Sequence, residues 1–247
     1  MVKTAAILAA GWGSRLGELT EHTPKGLLEV GGKPLLQRSV EQLKAAGVEQ
    51  IIIGTGYCAH VIEEFFADES AVECVRLNRY RDVQSMYTLR GLREKLSADF
   101  LLLEGDLLYD PRALAEVLSD DRADVILAAE VSDTDDAVLL EVDVASNLIN
   151  MSKHRSDLGS VAGELVGITK LSQETYREMC IFAERHLAFH ADMFYEEALI
   201  EMAAQRPLPV RVVADLAWCE IDNRDHLERA MVEVWPKIEA QIAVPVQ

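Results

Sequence analysis

The first half of the chain alternates short apolar runs with segments whose apolar residues recur every three or four positions. The short runs predict buried strands over residues 4–10, 50–54, 72–78, 99–106 and 123–130. The periodic segments predict helices over residues 34–46, 59–66, 85–96 and 111–119. Strands that alternate with helices in this way are typical of parallel β-α-β units. The pattern therefore predicts an α/β fold with a Rossmann-like, mostly parallel central sheet and helices on both faces.

The second half of the chain is less regular. Apolar runs predict strands over residues 138–143, 147–151, 163–170, 210–215 and 217–222, and helices over 173–188 and 193–205. Residues 223–240 have a largely helical pattern, which we expect Pro236 to break after Trp235. Since no repeat or linker interrupts the chain, we expect one domain over residues 1–247, with a small insertion at about 130–215.

Three segments that could bind a ligand follow predicted strands directly. They are a glycine turn at residues 11–15, the segment 54–57 and the acidic segment 104–106. In open parallel sheets, ligands bind at the carboxyl ends of the strands. The sequence therefore predicts one ligand site to which all three segments contribute.

The chain is strongly acidic, with a formal net charge of −18. Such a charge argues against nucleic acid or an anionic membrane as a partner, because both attract basic surfaces. Residues 1–60 nevertheless carry six basic against five acidic residues, which fits a phosphate-bearing ligand and equally fits ordinary surface variation. The four cysteines are widely spaced and no apolar run approaches the ~20 residues of a membrane span, so we expect a cytoplasmic protein with reduced thiols.

The glycine turn after the first strand could bind an anion. Glycine allows backbone N–H groups to converge on one ligand, and Arg15 adds a guanidinium for phosphate oxygens. The spacing differs from that of a P-loop, and the third glycine of a dinucleotide fingerprint is missing, which argues against a dehydrogenase. Alone, Gly11 and Gly13 are also compatible with a plain tight turn.

The residues that follow give the turn a more specific meaning. Thr23-Pro24-Lys25-Gly26 and Gly32-Lys33-Pro34-Leu35 come after it. Residues 8–36 resemble the opening of the sugar-phosphate nucleotidyltransferase superfamily, L-A-A-G-x-G-x-R-L … P-K-x-L … G-x-P-L. The resemblance implies a GT-A-like nucleotidyltransferase fold in which Arg15 holds the departing β- and γ-phosphates and Lys25 bridges the α-phosphate and the acceptor. It also implies that the nucleotide is held by Leu8, Ala9, Ala10, Gly11, Trp12, Gly13 and Ser14.

The resemblance further implies two aspartates that bind Mg²⁺. Asp106 ends the strand in Leu-Leu-Leu-Glu-Gly-Asp, and Asp222 ends the late strand in Trp-Cys-Glu-Ile-Asp. Carboxylates with water are the usual ligands of Mg²⁺ beside a nucleotide, although Asp222 could instead cap the last helix. Glu104 faces the same side as Asp106 in an extended strand. Lys153 could be a second catalytic cation or a surface lysine.

More loosely, most of the chain resembles the cytidylyltransferases that act on phosphocholine and 2-aminoethylphosphonate. This resemblance implies CTP as the nucleotide, with further contacts from Gly56, Tyr57, Ser85, Met86 and Thr88. Core packing at helical spacing is the alternative for Met86.

The acceptor site would involve the segment from His190 to Glu197, within the insertion. A quaternary ammonium prefers an aromatic cage, whereas a primary ammonium prefers carboxylates. The segment lacks the tryptophan of phosphocholine-type members and is rich in acids, which favours 2-aminoethylphosphonate, with phosphocholine next. The predicted acceptor-binding residues are Glu104, Glu164, Asp192, Tyr195 and Glu196.

The expected activity is the transfer of CMP from CTP to this acceptor, with release of pyrophosphate. The acceptor oxygen is ionised at neutral pH, so catalysis needs positioning and electrostatics rather than a general base. Two alternatives remain open: a sugar-1-phosphate, inositol-phosphate or heptose-phosphate nucleotidyltransferase, and a non-catalytic subunit that senses nucleotides. The oligomeric state is also open, and a homodimer is one possibility.

Overall fold

The computed structural model describes residues 2–132, 134, 136–186 and 192–242. The strands are β1 (Thr4–Ala9), β2 (Glu29–Val30), β3 (Lys33–Pro34), β4 (Gln50–Thr55), β5 (Val72–Arg76), β6 (Phe100–Glu104), β7 (Leu107–Tyr109), β8 (Val125–Ala129), β9 (Leu139–Val142), β10 (Leu148–Ser152), β11 (Gly163–Leu171), β12 (Val210–Val213) and β13 (Trp218–Glu220). The α-helices are α1 (Leu35–Ala45), α2 (Ala59–Phe65), α3 (Ser85–Gly91), α4 (Arg112–Leu118), α5 (Gln173–His186), α6 (Tyr195–Ala203), α7 (Arg224–Arg229) and α8 (Trp235–Ile242).

Among the described residues, the main sheet has nine strands, with the order β10-β9-β11-β6-β1-β4-β5; β8 also pairs with β11, and β12 pairs with β8. The centre, β6-β1-β4-β5, is parallel throughout. The long strand β11 then adds antiparallel to β6. The predicted α/β class, with a mostly parallel central sheet flanked by helices, is confirmed.

Alternation along the central strands divides the core between the two faces of the sheet. Ala6, Ile52 and Leu102 face one side, where they pack with apolar residues of α3, α5 and α6. Their neighbours Ile51 and Leu101 face the other side, where they pack with apolar residues of α1, α2 and α4. Successive strand residues point to opposite faces, which explains why these runs are apolar throughout and why both faces carry helices.

The strands within the predicted insertion, β9 to β12, all belong to this same sheet. Strand β11 pairs with β6 and β8, β9 pairs with β11, and β12 pairs with β8. The division of the chain into domains stays a prediction. The last two residues of the helix predicted over 173–188 lie outside the described residues. None of the described helices has the length and apolar character needed to cross a membrane.

The predicted break at Pro236 is wrong. A π-helical segment spans Ala230–Val234, and α8 begins directly after it at Trp235. Pro236 therefore lies inside one continuous helical segment over residues 224–242, directly after its π-helical part. A proline in a helix removes one backbone N–H and crowds the preceding turn, and a local change to π hydrogen bonding in that turn accommodates both effects.

Candidate functional site

A cavity of about 830 Å³ opens at the carboxyl ends of β1 and β6. Segments distant in sequence meet there, including the glycine turn, the acidic segment after β6 and the residues at the end of β13. The cavity is lined by these predicted site residues: Leu8, Ala9, Ala10, Gly11, Ser14, Arg15, Lys25, Ser85, Thr88, Glu104, Asp106, Lys153, Glu164, Glu196 and Asp222.

The other predicted residues lie elsewhere. Met86 is fully buried in the core, which agrees with the alternative of core packing rather than with a nucleotide contact. Gly56 and Tyr57 line a smaller cavity of about 340 Å³, which is adjacent to the first because Tyr80 lines both. Trp12 is half-exposed, and its ring centroid lies 5.9 Å from that of Tyr57.

Three further predicted residues do not line the cavity. Asp192 is exposed, and the two residues before it lie outside the described part of the chain. Tyr195 is buried, and its hydroxyl contacts Glu104, which lines the cavity. Gly13 forms the turn that presents Arg15.

The backbone conformation at Gly13 explains how the turn is formed. Gly13 has a φ of 65°, in the left-handed region that favours glycine. Its carbonyl accepts hydrogen bonds from the Leu16 N–H at 3.0 Å and the Thr20 hydroxyl at 3.0 Å. A Cβ at position 13 would stand 3.3 Å from the Cβ of Lys25. The turn and the lysine loop therefore pack directly against each other, which brings Arg15 and Lys25 to the same side of the cavity.

Five charged side chains form a continuous series across the cavity, which we call the charge chain: Asp136, Arg15, Asp222, Lys25 and Asp106. The Lys25 Nζ lies between Asp106 and Asp222, 2.7 Å from Asp222 Oδ1. Arg15 Nη2 lies 2.9 Å from Asp222 Oδ2, and Nη1 pairs with Asp136. Each cation thus bridges two carboxylates.

This arrangement keeps the central pair charged. Burial alone would lower the pKa of Lys25, but the charges of Asp106 and Asp222 outweigh it and raise the pKa above its ordinary value. Burial alone would raise the pKa of Asp222, but Lys25 and Arg15 lower it to about 2. Lys25 is therefore an ammonium and Asp222 a carboxylate at neutral pH.

A second group of acids surrounds Asp106. One carboxylate oxygen each from Glu104, Asp106 and Glu220 lies within 4.8 Å of the others. Asp106 Oδ1 is buried and finds no hydrogen-bond partner among the described residues. Oxygen ligands of this kind suit Mg²⁺. Burial, with the charges of Glu196 and Asp106, raises the pKa of Glu104 to about 8. These residues fit a divalent cation.

Glu220 was missed at the sequence level. It stands two residues before Asp222, as Glu104 stands two residues before Asp106, so both predicted metal ligands end a Glu-x-Asp pattern, which also occurs at Glu141 and Asp143. Strand β13 pairs antiparallel with β7, which directly follows Asp106, and the Ile221 N–H donates to the Asp106 carbonyl at 3.1 Å. This pairing places the two patterns side by side. The repeated spacing was the available signal.

The far end of the cavity is formed by α6 and β11. The Tyr195 hydroxyl donates to Glu104 Oε1 at 2.7 Å, and its backbone N–H donates to the Ser85 hydroxyl at 2.9 Å. Glu196 follows directly and lines the cavity. Glu164 accepts a hydrogen bond from the Ser132 N–H at 2.7 Å, so that oxygen holds the loop after β8.

Residues 5–168 match the family described as the MobA-like NTP transferase domain. The chain belongs to this family. The matched segment includes Arg15, Lys25 and Asp106, whereas Asp222 lies beyond its end.

One curated relative matches almost the whole chain. The chain is 27% identical to the CMP-5'-(3-aminopropyl)phosphonate synthase of Streptomyces rubellomurinus over 96% of this chain and 40% of the relative. It spans between 35% and 56% of the length of the first three curated relatives that it matches.

Two solved structures share the fold over nearly the whole chain. The inositol-1-phosphate CTP transferase of T. maritima has a TM-score of 0.82 at 21% identity, over 98% of each chain. The CTP:phosphocholine cytidylyltransferase of Streptococcus pneumoniae has a TM-score of 0.74 at 21% identity, over 98% of this chain and all of the other. The predicted nucleotidyltransferase fold is therefore confirmed.

Proposed function

We propose that this protein transfers CMP from CTP to a small amino-bearing phosphonate or phosphate and releases pyrophosphate, with Mg²⁺ as cofactor. The favoured acceptor is 2-aminoethylphosphonate, and phosphocholine is next. The observation that carries the proposal is the charge chain, in which Arg15 and Lys25 face one cavity at the carboxyl ends of β1 and β6. Ligands of open α/β sheets bind at this edge.

The chemistry requires two anions to approach each other. Lys25 is buried at the centre of the cavity, where it would contact both the α-phosphate and the acceptor oxygen after exchanging a carboxylate partner for a phosphate oxygen. Arg15, half-exposed at the end of the glycine turn, would hold the departing phosphates. Cations fixed in these positions stabilise the charge that gathers in the transition state.

The metal would be held by Asp106 with Glu220, close to Glu104, and Asp222, which contacts Lys25 on the side away from Asp106, would be a further ligand. When bound, Mg²⁺ neutralises part of the triphosphate charge and orients the α-phosphate. The buried, unpartnered Oδ1 of Asp106 supports this assignment.

Two observations support an amino-bearing acceptor. The relative matched over 96% of the chain is named for an aminopropylphosphonate, and a neighbour in fold is named for phosphocholine. The end of the cavity beside α6 also carries more acids than bases. We infer that Glu104 and Glu196 lie near the acceptor's ammonium, and that Lys153 lies near its phosphorus group.

An inositol-phosphate or sugar-phosphate acceptor is the second candidate, favoured by the fold similarity to the inositol-1-phosphate CTP transferase. A non-catalytic subunit is disfavoured because Arg15, Lys25, Asp106 and Asp222 are all present and in contact. A homodimer and a cytoplasmic location stay predictions.

The test is a pyrophosphate-release screen of CTP, UTP and dTTP against 2-aminoethylphosphonate, phosphocholine, inositol-1-phosphate and glucose-1-phosphate. We expect turnover with CTP and the amino-bearing acceptors. Lys25→Met should reduce kcat by about 10²- to 10³-fold. Lys33→Met removes a lysine paired with Glu41 outside the cavity and serves as the matched control. Turnover with sugar phosphates alone, or an active Lys25→Met variant, would contradict the proposal.

A further inference from the structure

Among the described residues, four lysine or arginine side chains line the cavity, and two of them lack a carboxylate partner. Arg15 and Lys25 each bridge two carboxylates in the charge chain. Lys153 and Arg229 line the same cavity, and neither forms an ion pair or a side-chain hydrogen bond with a described residue. Eight carboxylate side chains also line the cavity, so an incoming polyphosphate needs cations that it can contact without displacing a carboxylate.

These two cations lie in different parts of the cavity. Burial raises the pKa of Glu196 to about 7, and the nearby charge of Lys153 opposes that rise, so Lys153 lies close to α6. Burial raises the pKa of the Cys219 thiol to about 12, and the nearby charge of Arg229 opposes that rise, so Arg229 lies close to β13. Arg229 is therefore the unpaired cation on the side of α7.

Helix α7 lies beside the glycine turn that carries Arg15. Its first residue, Arg224, has Nη2 at 4.0 Å from the position that a Cβ on Gly17 would take. The Asp222 N–H donates to Nδ1 of His226 at 3.4 Å, and the carboxylate of Asp222 contacts Arg15. The side chains of α7 that line the cavity therefore lie on the side where Arg15 would hold phosphates.

His226 and Arg229 both line the cavity and stand three positions apart on α7, so they are neighbours on one helix face. Because Nδ1 of His226 accepts the Asp222 N–H, the proton of the neutral ring is on Nε2, which is left as a donor for a ligand. Arg229 adds a guanidinium, whose paired N–H groups match the oxygens of a phosphate. In the part of the chain that the structure describes, no carboxylate pairs with Arg229, so a phosphate meets no competitor there.

We propose that Arg229, assisted by His226, binds the β- and γ-phosphates of the incoming nucleotide and then the pyrophosphate product. This inference rests on the proposed function and adds two residues of α7 to its phosphate contacts. Arg15 is held by Asp136 and Asp222, so a triphosphate contacts Arg229 before it exchanges those carboxylates for its own oxygens. Once the bond between the α-phosphorus and the bridging oxygen breaks, Arg229 still holds the two departing phosphates.

The test measures binding, so it requires neither an acceptor nor turnover. Isothermal titration calorimetry in the presence of Mg²⁺ gives the affinities for CTP, CMP and pyrophosphate. CMP is the matched ligand, because it shares the base, the ribose and the α-phosphate with CTP and lacks the two outer phosphates. The variants are Arg229→Gln, Arg229→Lys, His226→Asn and Arg177→Gln. Arg177 is exposed on α5, outside the cavity, and provides the matched loss of one positive charge.

We expect Arg229→Gln to weaken the binding of CTP and pyrophosphate by about 5- to 50-fold, because charge-assisted hydrogen bonds are lost, and to leave the affinity for CMP unchanged. Arg229→Lys should retain part of the affinity, because it keeps the charge without the paired N–H groups. His226→Asn keeps an acceptor for the Asp222 N–H and removes the Nε2 donor, so we expect a smaller loss of about 2- to 10-fold. Arg177→Gln should bind all three ligands as the wild-type protein does. An unchanged affinity for CMP also shows that the variants fold.

Other outcomes would overturn the inference. If Arg229→Gln binds CTP and pyrophosphate as the wild-type protein does, or loses affinity for CMP by the same factor as for CTP, Arg229 does not bind the outer phosphates. An equal loss in Arg177→Gln would assign the effect to the overall charge of the protein. A wild-type protein that binds CTP no more tightly than CMP would also contradict the inference. A wild-type protein that binds CTP through Arg229 but turns over no acceptor in the pyrophosphate-release screen would support this inference and contradict the proposed function.

Discussion

Arg15 pairs with Asp136, a residue of the segment after β8 that lines the cavity opposite the glycine turn. Arg15 also contacts Asp222, so both sides of its guanidinium are occupied by carboxylates. A carboxylate offers a guanidinium the same paired oxygens as a phosphate. Under the proposed function, Asp136 therefore occupies a position on Arg15 that the triphosphate would take.

The first prediction follows from this competition. A triphosphate must displace the Asp136 carboxylate from Arg15 and is also repelled by its negative charge. Asp136→Asn removes that charge. Because Arg15 is half-exposed, the pair is worth at most about 1 kcal/mol, so we expect KM for CTP to fall by up to about fivefold. Asp68→Asn, at an exposed position, is the control for a general loss of negative charge. A raised KM in Asp136→Asn would show that Asp136 assists the nucleotide instead.

The second prediction concerns the metal. Glu220→Gln removes a charge from the acids around Asp106, and we expect the affinity for Mg²⁺ to fall by about 10- to 100-fold. The Mg²⁺ dependence of the initial rate at saturating CTP measures this, and Mn²⁺ binding followed by electron paramagnetic resonance measures it without turnover. Glu228→Gln, on the exposed side of α7, should change neither. Equal metal affinity in both variants would remove Glu220 from the metal site.

Part of this site was predictable because parallel strands end at one edge of a sheet: Arg15 belongs to the turn after β1, and Asp106 follows β6. Lys25 and Asp222 were predicted from the resemblance, and Asp222 follows β13, which pairs antiparallel with β7 in a separate sheet. The structure brings all four residues into one series of contacts. The short apolar runs of β1, β4 and β6, which alternate with helical segments along the chain, likewise predicted the fold.

Other features depend on contacts that no local pattern contains. Asp136 belongs to a loop without periodicity, and only the folded chain brings it to Arg15. The role of Tyr195 is also tertiary, because its hydroxyl reaches Glu104 across the interior. Met86 lies on the buried face of α3, which helical spacing alone could not distinguish from a site-facing position.

The third prediction separates stability from function at two buried tyrosines. Tyr195→Phe removes the hydroxyl that donates to Glu104, and Tyr176→Phe removes the one that donates to the Leu89 carbonyl at 2.8 Å. We expect each change to lower the free energy of unfolding by about 0.5–1.5 kcal/mol, measured by urea denaturation. Only Tyr195→Phe should lower kcat/KM for the acceptor, because only Glu104 lines the cavity. An equal loss of activity in both variants would point to stability alone.

The fourth prediction concerns the tight hairpin between β2 and β3. Gly31 and Gly32 form its two central positions with φ values of 59° and 71°, as a type I′ turn requires. The ring of Trp235 lies against Gly31, where an added Cβ would stand 2.3 Å from it, and the guanidinium of Arg38 lies 4.0 Å from the centre of the same ring. The turn thus supports the start of α8, whereas Gly32 faces open space.

Alanine at the two glycines separates backbone strain from packing. Both variants carry the cost of a left-handed conformation, about 1–2 kcal/mol. Gly31→Ala must also displace Trp235 from Arg38, so we expect it to lower the free energy of unfolding by a further ~1–3 kcal/mol, as overpacking does. Urea denaturation followed by tryptophan fluorescence measures both variants. Equal losses would show that Trp235 moves away at no cost and that the contact with Gly31 contributes nothing to holding α8.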